Sequence, residues 1–330
     1  MTAARRLTAV AGLAALLSLA ALPAHAEKIR LGYWTSGFSL GIGAVLEAEK
    51  FLEKEGLEVE YVKFSEVNGP TKAILTKSID LAVAVPTAGS MQAVADGAPV
   101  RIVLATQVAE GQIVTLASSG VTGIADLKGR KVGMSPAGSA TYALTTAFLE
   151  ANHGLKLSDY QVVHANEARL AQFLAQGEIA AGALRAVTVA QINETPVRVL
   201  ANNVDEWKRL SGSNSVPILA TAIVHDDFAA GSPEAIVKFI LGLKKASDYG
   251  ARNTARVAQI LKDSASLADD DATAYAKLWE QIYIASLSAG DLATLKRQEA
   301  IYKAGGTLTK DVPPSAYDTR FYEQARARLP

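Results

Sequence analysis

Gly138-Ser139-Ala140-Thr141 is the stretch whose residue types and spacing best suit ligand chemistry. It lies between a short β-forming run, Lys131 to Met134, and an amphipathic run, Tyr142 to Asn152. Glycine at 138 permits a tight turn without a Cβ clash. Ser139 and Thr141 are helix-capping types, and a helix N-terminus leaves amide donors that can meet an anionic oxygen. Similar polar loops follow other apolar runs at Trp34-Thr35-Ser36-Gly37-Phe38, at Pro86-Thr87 and at Asn166. Arg185 ends the apolar run Ala180 to Leu184, where a guanidinium offers a fixed fork to a carboxylate, sulfonate or phosphate. The alternative for Arg185 is a side chain lying along the surface.

Groups for turnover are sparse. His153, His164 and His225 are scattered, and there is no H-E-x-x-H, no G-x-S-x-G and no phosphate-binding loop of the G-x-x-x-x-G-K-[ST] type. Asp269-Asp270-Asp271 lacks the glycine and distal glutamate of a calcium loop and reads as a solvated helix entry. The chain has no cysteine, which removes disulfides, thiolate metal sites and a cysteine nucleophile. Polar loops without a catalytic dyad point to binding, with no enzyme activity, metal or cofactor expected.

The elements that must hold these loops alternate in type. Strands are expected at 28–34, 57–64, 79–85 and 100–107, with helical runs between them, and again at 113–117, 131–134, 160–165, 180–184 and 197–201. Such alternation specifies parallel sheets with helices on their faces, here two α/β units divided near Val108 to Gln112. In open α/β sheets, loops past the C-terminal strand ends form the ligand crevice, and all the polar loops above fall there. One more strand follows at 217–224. Ser232-Pro233-Glu234 then starts a largely helical C-terminal region, including Ala272 to Ala285 as helix.

Lys+Arg and Asp+Glu both count 33 in 330 residues, with no basic block, so nucleic acid is not an expected partner. Residues 1–26 have the form of a cleaved secretory signal. Arg5 and Arg6 precede the apolar run Leu7 to Leu22, and Ala24-His25-Ala26 matches the A-x-A cleavage pattern. Cleavage would start the mature chain at Glu27, without membrane insertion, in a bacterial periplasm.

These residues together resemble the periplasmic substrate-binding proteins of ABC transporters, in the branch that handles nitrate, taurine, alkanesulfonates and thiamine pyrimidine precursors. The resemblance rests on Lys28 to Tyr33, Asn68-Gly69-Pro70, Ser78-Ile79-Asp80-Leu81-Ala82, Ile124 to Gly133, Gly138-Ser139-Ala140 and Ser232-Pro233-Glu234. It implies a two-lobe periplasmic binding protein fold of type II, each lobe a mixed, mostly parallel sheet flanked by helices, plus a C-terminal helical region. Lobe one would comprise 27–108 and 217–330, and lobe two 109–216. The implied function is capture of a small organic anion (sulfonate-like, taurine-like or carboxylate) by a monomer that delivers it to an inner-membrane ABC permease. The implied site is the set Trp34, Thr35, Ser36, Gly37, Phe38, Pro86, Thr87, Gly138, Ser139, Ala140, Thr141, Asn166 and Arg185. The alternatives are a binder of a neutral heterocycle, held by stacking on Trp34 or Phe38, and an enzyme on the same fold. The chain departs from the sulfonate-binding pattern at Gly182-Ala183-Leu184-Arg185-Ala186, where those proteins share a tryptophan-aspartate-proline stretch.

Overall fold

The computed structural model describes residues 27–37, 39–192 and 195–329. The expected signal segment and Phe38 lie outside the described residues. Eleven strands are described: β1 (Glu27–Trp34), β2 (Leu57–Phe64), β3 (Leu81–Pro86), β4 (Val100–Val108), β5 (Gly111–Leu116), β6 (Lys131–Met134), β7 (Gln161–His164), β8 (Ala181–Arg185), β9 (Val197–Asn202), β10 (Ile218–His225) and β11 (Tyr283–Ser286).

They form two sheets, ordered β11-β4-β10-β3-β1-β2 and β7-β6-β8-β5-β9. In the first, β1 runs parallel to β2 and β3, while β10 is antiparallel to β3 and β4, and β11 is antiparallel to β4. In the second, β6 runs parallel to β7 and β8, and only β5 is reversed. Each sheet is thus mixed, with most of its strands running in one direction. The hydrophobic pattern follows position in the sheet. Central β10 is buried at every residue, whereas edge strand β2 alternates.

The chain passes between the sheets at their C-terminal strand edges. β4 ends at Val108, which pairs with Ile218, the first residue of β10. β5 begins at Gly111, which pairs with Arg185, the last residue of β8. The two crossings run side by side, the Ala109 amide donating to the Pro217 carbonyl at 2.7 Å. The loops that follow strands of one sheet therefore face those of the other.

The main core surrounds the first sheet and is closed by helix Pro233–Arg252. It reaches across the interface, taking in Ala143, Leu144 and Phe148 of helix Ala140–His153 and Trp207 of helix Asn203–Ser211. Close packing demands glycine at Gly41, where an added Cβ would stand 2.4 Å from the Tyr283 hydroxyl.

Two of the differences from expectation stand out. The run Ala272 to Ala285 is not one helix: helix Asp269–Lys277 and the turn Trp279–Ile282 lead into edge strand β11. Pairing with β4 overrides the helical spacing there. Helix Asn203–Ser211 is an addition, although its signals are present: the Asn202 side chain accepts the Val204 amide at 2.9 Å, acids occupy the first turn, and Gly212 closes it in the left-handed region.

A candidate solute cleft between the two sheets

A cavity of about 540 Å³ lies between the facing strand edges, within the range usual for small-molecule sites. From the first sheet it is lined by Trp34 at the end of β1, Gly37 in the loop after it, Pro86 at the end of β3, and Leu219 in β10. From the second it is lined by Gly138, Ser139, Ala140, Thr141, Glu167 and Arg185.

The Gly138 to Thr141 turn is built as its sequence dictates. Gly138 has φ +83°, a conformation costly for any residue with a Cβ. Ser139 caps helix Ala140–His153, its hydroxyl accepting the Tyr142 amide at 3.2 Å and lying 3.3 Å from the Thr141 hydroxyl. Across the cleft, the Trp34 indole donates to the Ser65 carbonyl at 3.2 Å, which fixes the ring. Gly37 lies against that ring, and an added Cβ would sit 2.4 Å from it.

Among the expected site residues, Trp34, Gly37, Pro86, Gly138, Ser139, Ala140, Thr141 and Arg185 are brought together on the cleft wall. Others hold the backbone instead. The Thr35 hydroxyl donates to the Phe64 carbonyl at 3.1 Å. Thr87 is fully buried and its hydroxyl donates to the Ile218 carbonyl at 3.2 Å. The exposed Asn166 is a helix cap, accepting the Arg169 amide at 2.9 Å. Ser36 is not among the lining residues.

Several lining residues were not anticipated: Val67, Asn68, Gly89, Gln92, Ser135, Glu167 and Thr307. Asn68 and Glu167 had local signals, a turn at Asn68-Gly69-Pro70 and an acid in the first turn of a helix. Gln92 and Thr307 had none, because only the fold carries them to the cleft.

Arg185 does not lie along the surface. Its side chain is 12% exposed, and its guanidinium donates to Glu110 Oε1 at 2.7 Å through Nη2 and at 3.2 Å through Nε. Its amide donates to Glu167 Oε2 at 3.1 Å. Burial opposes the charge on Arg185, but Glu110, Tyr275 and Glu167 more than offset it and raise its pKa. Burial pushes the Glu110 carboxyl above the usual carboxylate range, with Arg185 pulling the other way. Glu110 and Arg185 line a narrow extension of the cleft with Thr145 and Asn203. The fork expected for an anion is thus held by an internal carboxylate.

No group of His, Asp and Glu that could hold a metal ion occurs among the described residues, and no helix there is long and apolar enough to cross a membrane.

Two sheets facing one another across a cleft at their C-terminal strand edges define a two-lobe protein of the periplasmic binding type. The chain belongs to the NMT1/THI5-like family, whose model matches residues 42–255. It is 28% identical over 249 residues to a putative binding protein of Brucella abortus, covering 73% of this chain and 74% of that one. A putative thiamine biosynthesis protein of Haemophilus influenzae is 33% identical over 123 residues, 37% of this chain and 38% of that one. The fold is shared with the periplasmic aliphatic sulphonate binding protein SsuA of Escherichia coli. There the TM-score is 0.73 at 20% identity, over 87% of this chain and 90% of that one.

Proposed function

We propose that this protein is the solute-binding component of an ABC importer, working in the periplasm after removal of residues 1–26. It would capture a small organic molecule between its lobes and present it to a permease in the inner membrane. The observation that carries this reading is the cleft itself. It is walled by loops from both sheets, holds a fixed aromatic ring and capped helix ends, and sits where the chain crosses between the sheets.

The fold of SsuA supports the reading, and the ligand class named for that protein is one of those the sequence resemblance implies. A small organic anion would need Arg185 to exchange Glu110 for the ligand, with the amides of Gly138 to Thr141 meeting its oxygens.

The test is mass spectrometry of small molecules released from protein purified out of the periplasm, followed by thermal denaturation with the identified compound. A ligand at 100 times its dissociation constant should add about 2.7 kcal/mol of stability. Recovery of a compound chemically altered by the protein would replace the binding role with an enzymatic one.

A further inference from the structure

The cleft carries a charge pattern opposite to an anion trap. Among the residues lining it and its extension, the ionisable groups are Glu110, Glu167 and Arg185. Two carboxylates and one guanidinium leave one negative charge when all are ionised. The guanidinium is already engaged through both Nη2 and Nε, and both bonds go to a single oxygen of Glu110, Oε1. The other oxygen, Oε2, is buried and has no hydrogen-bond donor, in a side chain only 5% exposed. A buried carboxylate oxygen left without a donor is costly, and an N–H group arriving there would relieve that cost. Glu167 lies on the same stretch of wall, tied to the Arg185 amide. The Trp34 ring on the opposite wall presents an apolar, cation-tolerant face.

We infer that the deep end of the cleft, between Glu110 and Glu167, is a subsite for an ammonium or amidinium group on the captured solute. This rests on the solute-binding role proposed above. Arg185 is then the positioning residue that holds Glu110 with Oε2 unengaged. An arriving cation keeps its charge, donates N–H to Glu110 Oε2, and is balanced by Glu167. A sulfonate or carboxylate placed there would meet two carboxylates at close range.

The experiment uses the mature full chain, dialysed free of small molecules. It is exposed to a small-molecule extract of the cells that make it, supplemented with benzamidine, agmatine and phenethylamine, and with ethanesulfonate, benzoate and phenylphosphonate. Retained compounds are identified by mass spectrometry after rapid desalting. The expected result is retention of compounds bearing an ammonium or amidinium group. Affinity for a retained compound should fall by roughly 10- to 150-fold in Glu167→Gln, where a charged partner of the cation becomes neutral. Glu110→Gln should weaken binding as well. Should Glu110→Gln fail to fold, Glu167→Gln carries the test, because it removes a charge without unpairing Arg185. Retention of anions lacking an N–H cation overturns the subsite but leaves the solute-binding role intact. Undiminished affinity in Glu167→Gln also overturns the subsite. Retention of no compound overturns both.

Discussion

Glu110 and Arg185 pose an energetic problem before a functional one. Two charges are removed from water, and their attraction offsets that loss only while both are present. Arg185→Ala should therefore cost about 3–5 kcal/mol by leaving a buried carboxylate alone. A double variant, Arg185→Leu with Glu110→Leu, should recover most of that stability in urea denaturation. Full loss in the double variant would show that the pair contributes more than mutual neutralisation. The pH dependence has a definite sign. Burial makes the Glu110 carboxyl bind its proton more tightly in the folded chain, with Arg185 opposing the shift and Glu167 adding to it. The stability this adds is complete below the ordinary glutamate value near 4.5 and is lost as pH rises through the raised folded value. Glu110→Gln should flatten that part of the stability profile, as followed by melting temperature against pH.

Helix Ala140–His153 owes its start to one side chain and one backbone conformation. Ser139→Ala removes the bond to the Tyr142 amide and should lower stability by about 1 kcal/mol. Gly138→Ala must place a Cβ at φ +83°, a penalty of about 1–2 kcal/mol. Both are measurable by chemical denaturation. The same turn forms the cleft wall, so a ligand whose affinity survives Gly138→Ala is not held by these amides. Strand β11 shows the opposite case, an element made by its neighbour. Tyr283 and Ser286 pair with Gln107 and Ala105 of β4, and the Tyr283 hydroxyl meets that of Tyr275 at 2.6 Å.

At the scale of the molecule, the two chain crossings at 108–111 and 211–217 are proposed as a hinge. The two lobes also touch beyond the crossings. Ala143 lies within 3.6 Å of the Cβ position at Gly305, and Arg297 Nη2 donates to the Leu210 carbonyl at 2.6 Å across the interface. Arg297→Ala should weaken the closed arrangement without touching the cleft. Its radius of gyration by small-angle scattering should exceed that of the unmodified chain without ligand and return to the same value when ligand saturates. An unchanged radius in both proteins would count against a hinge at these crossings. Intact mass of periplasmic protein should begin at Glu27, and a retained N-terminus would remove the periplasmic assignment.

Local periodicity and capping alone determined much of this protein. The strand–helix alternation specified two α/β units, the return strand was visible at 217–224, and the glycine-serine turn at 138–139 was recognisable because backbone conformation and capping act within a few residues. The Asn203–Ser211 helix was equally local and had signals to match. Only the tertiary structure decided that Ala272 to Ala285 divides into helix and strand, since an edge strand exists through its partner. It also decided the electrostatics of the cleft. Arg185 beside an apolar run reads as an open fork, but Glu110 is 75 residues away. The chain crossing at 108–111 brings the two together, and a pairing over that distance leaves no local trace.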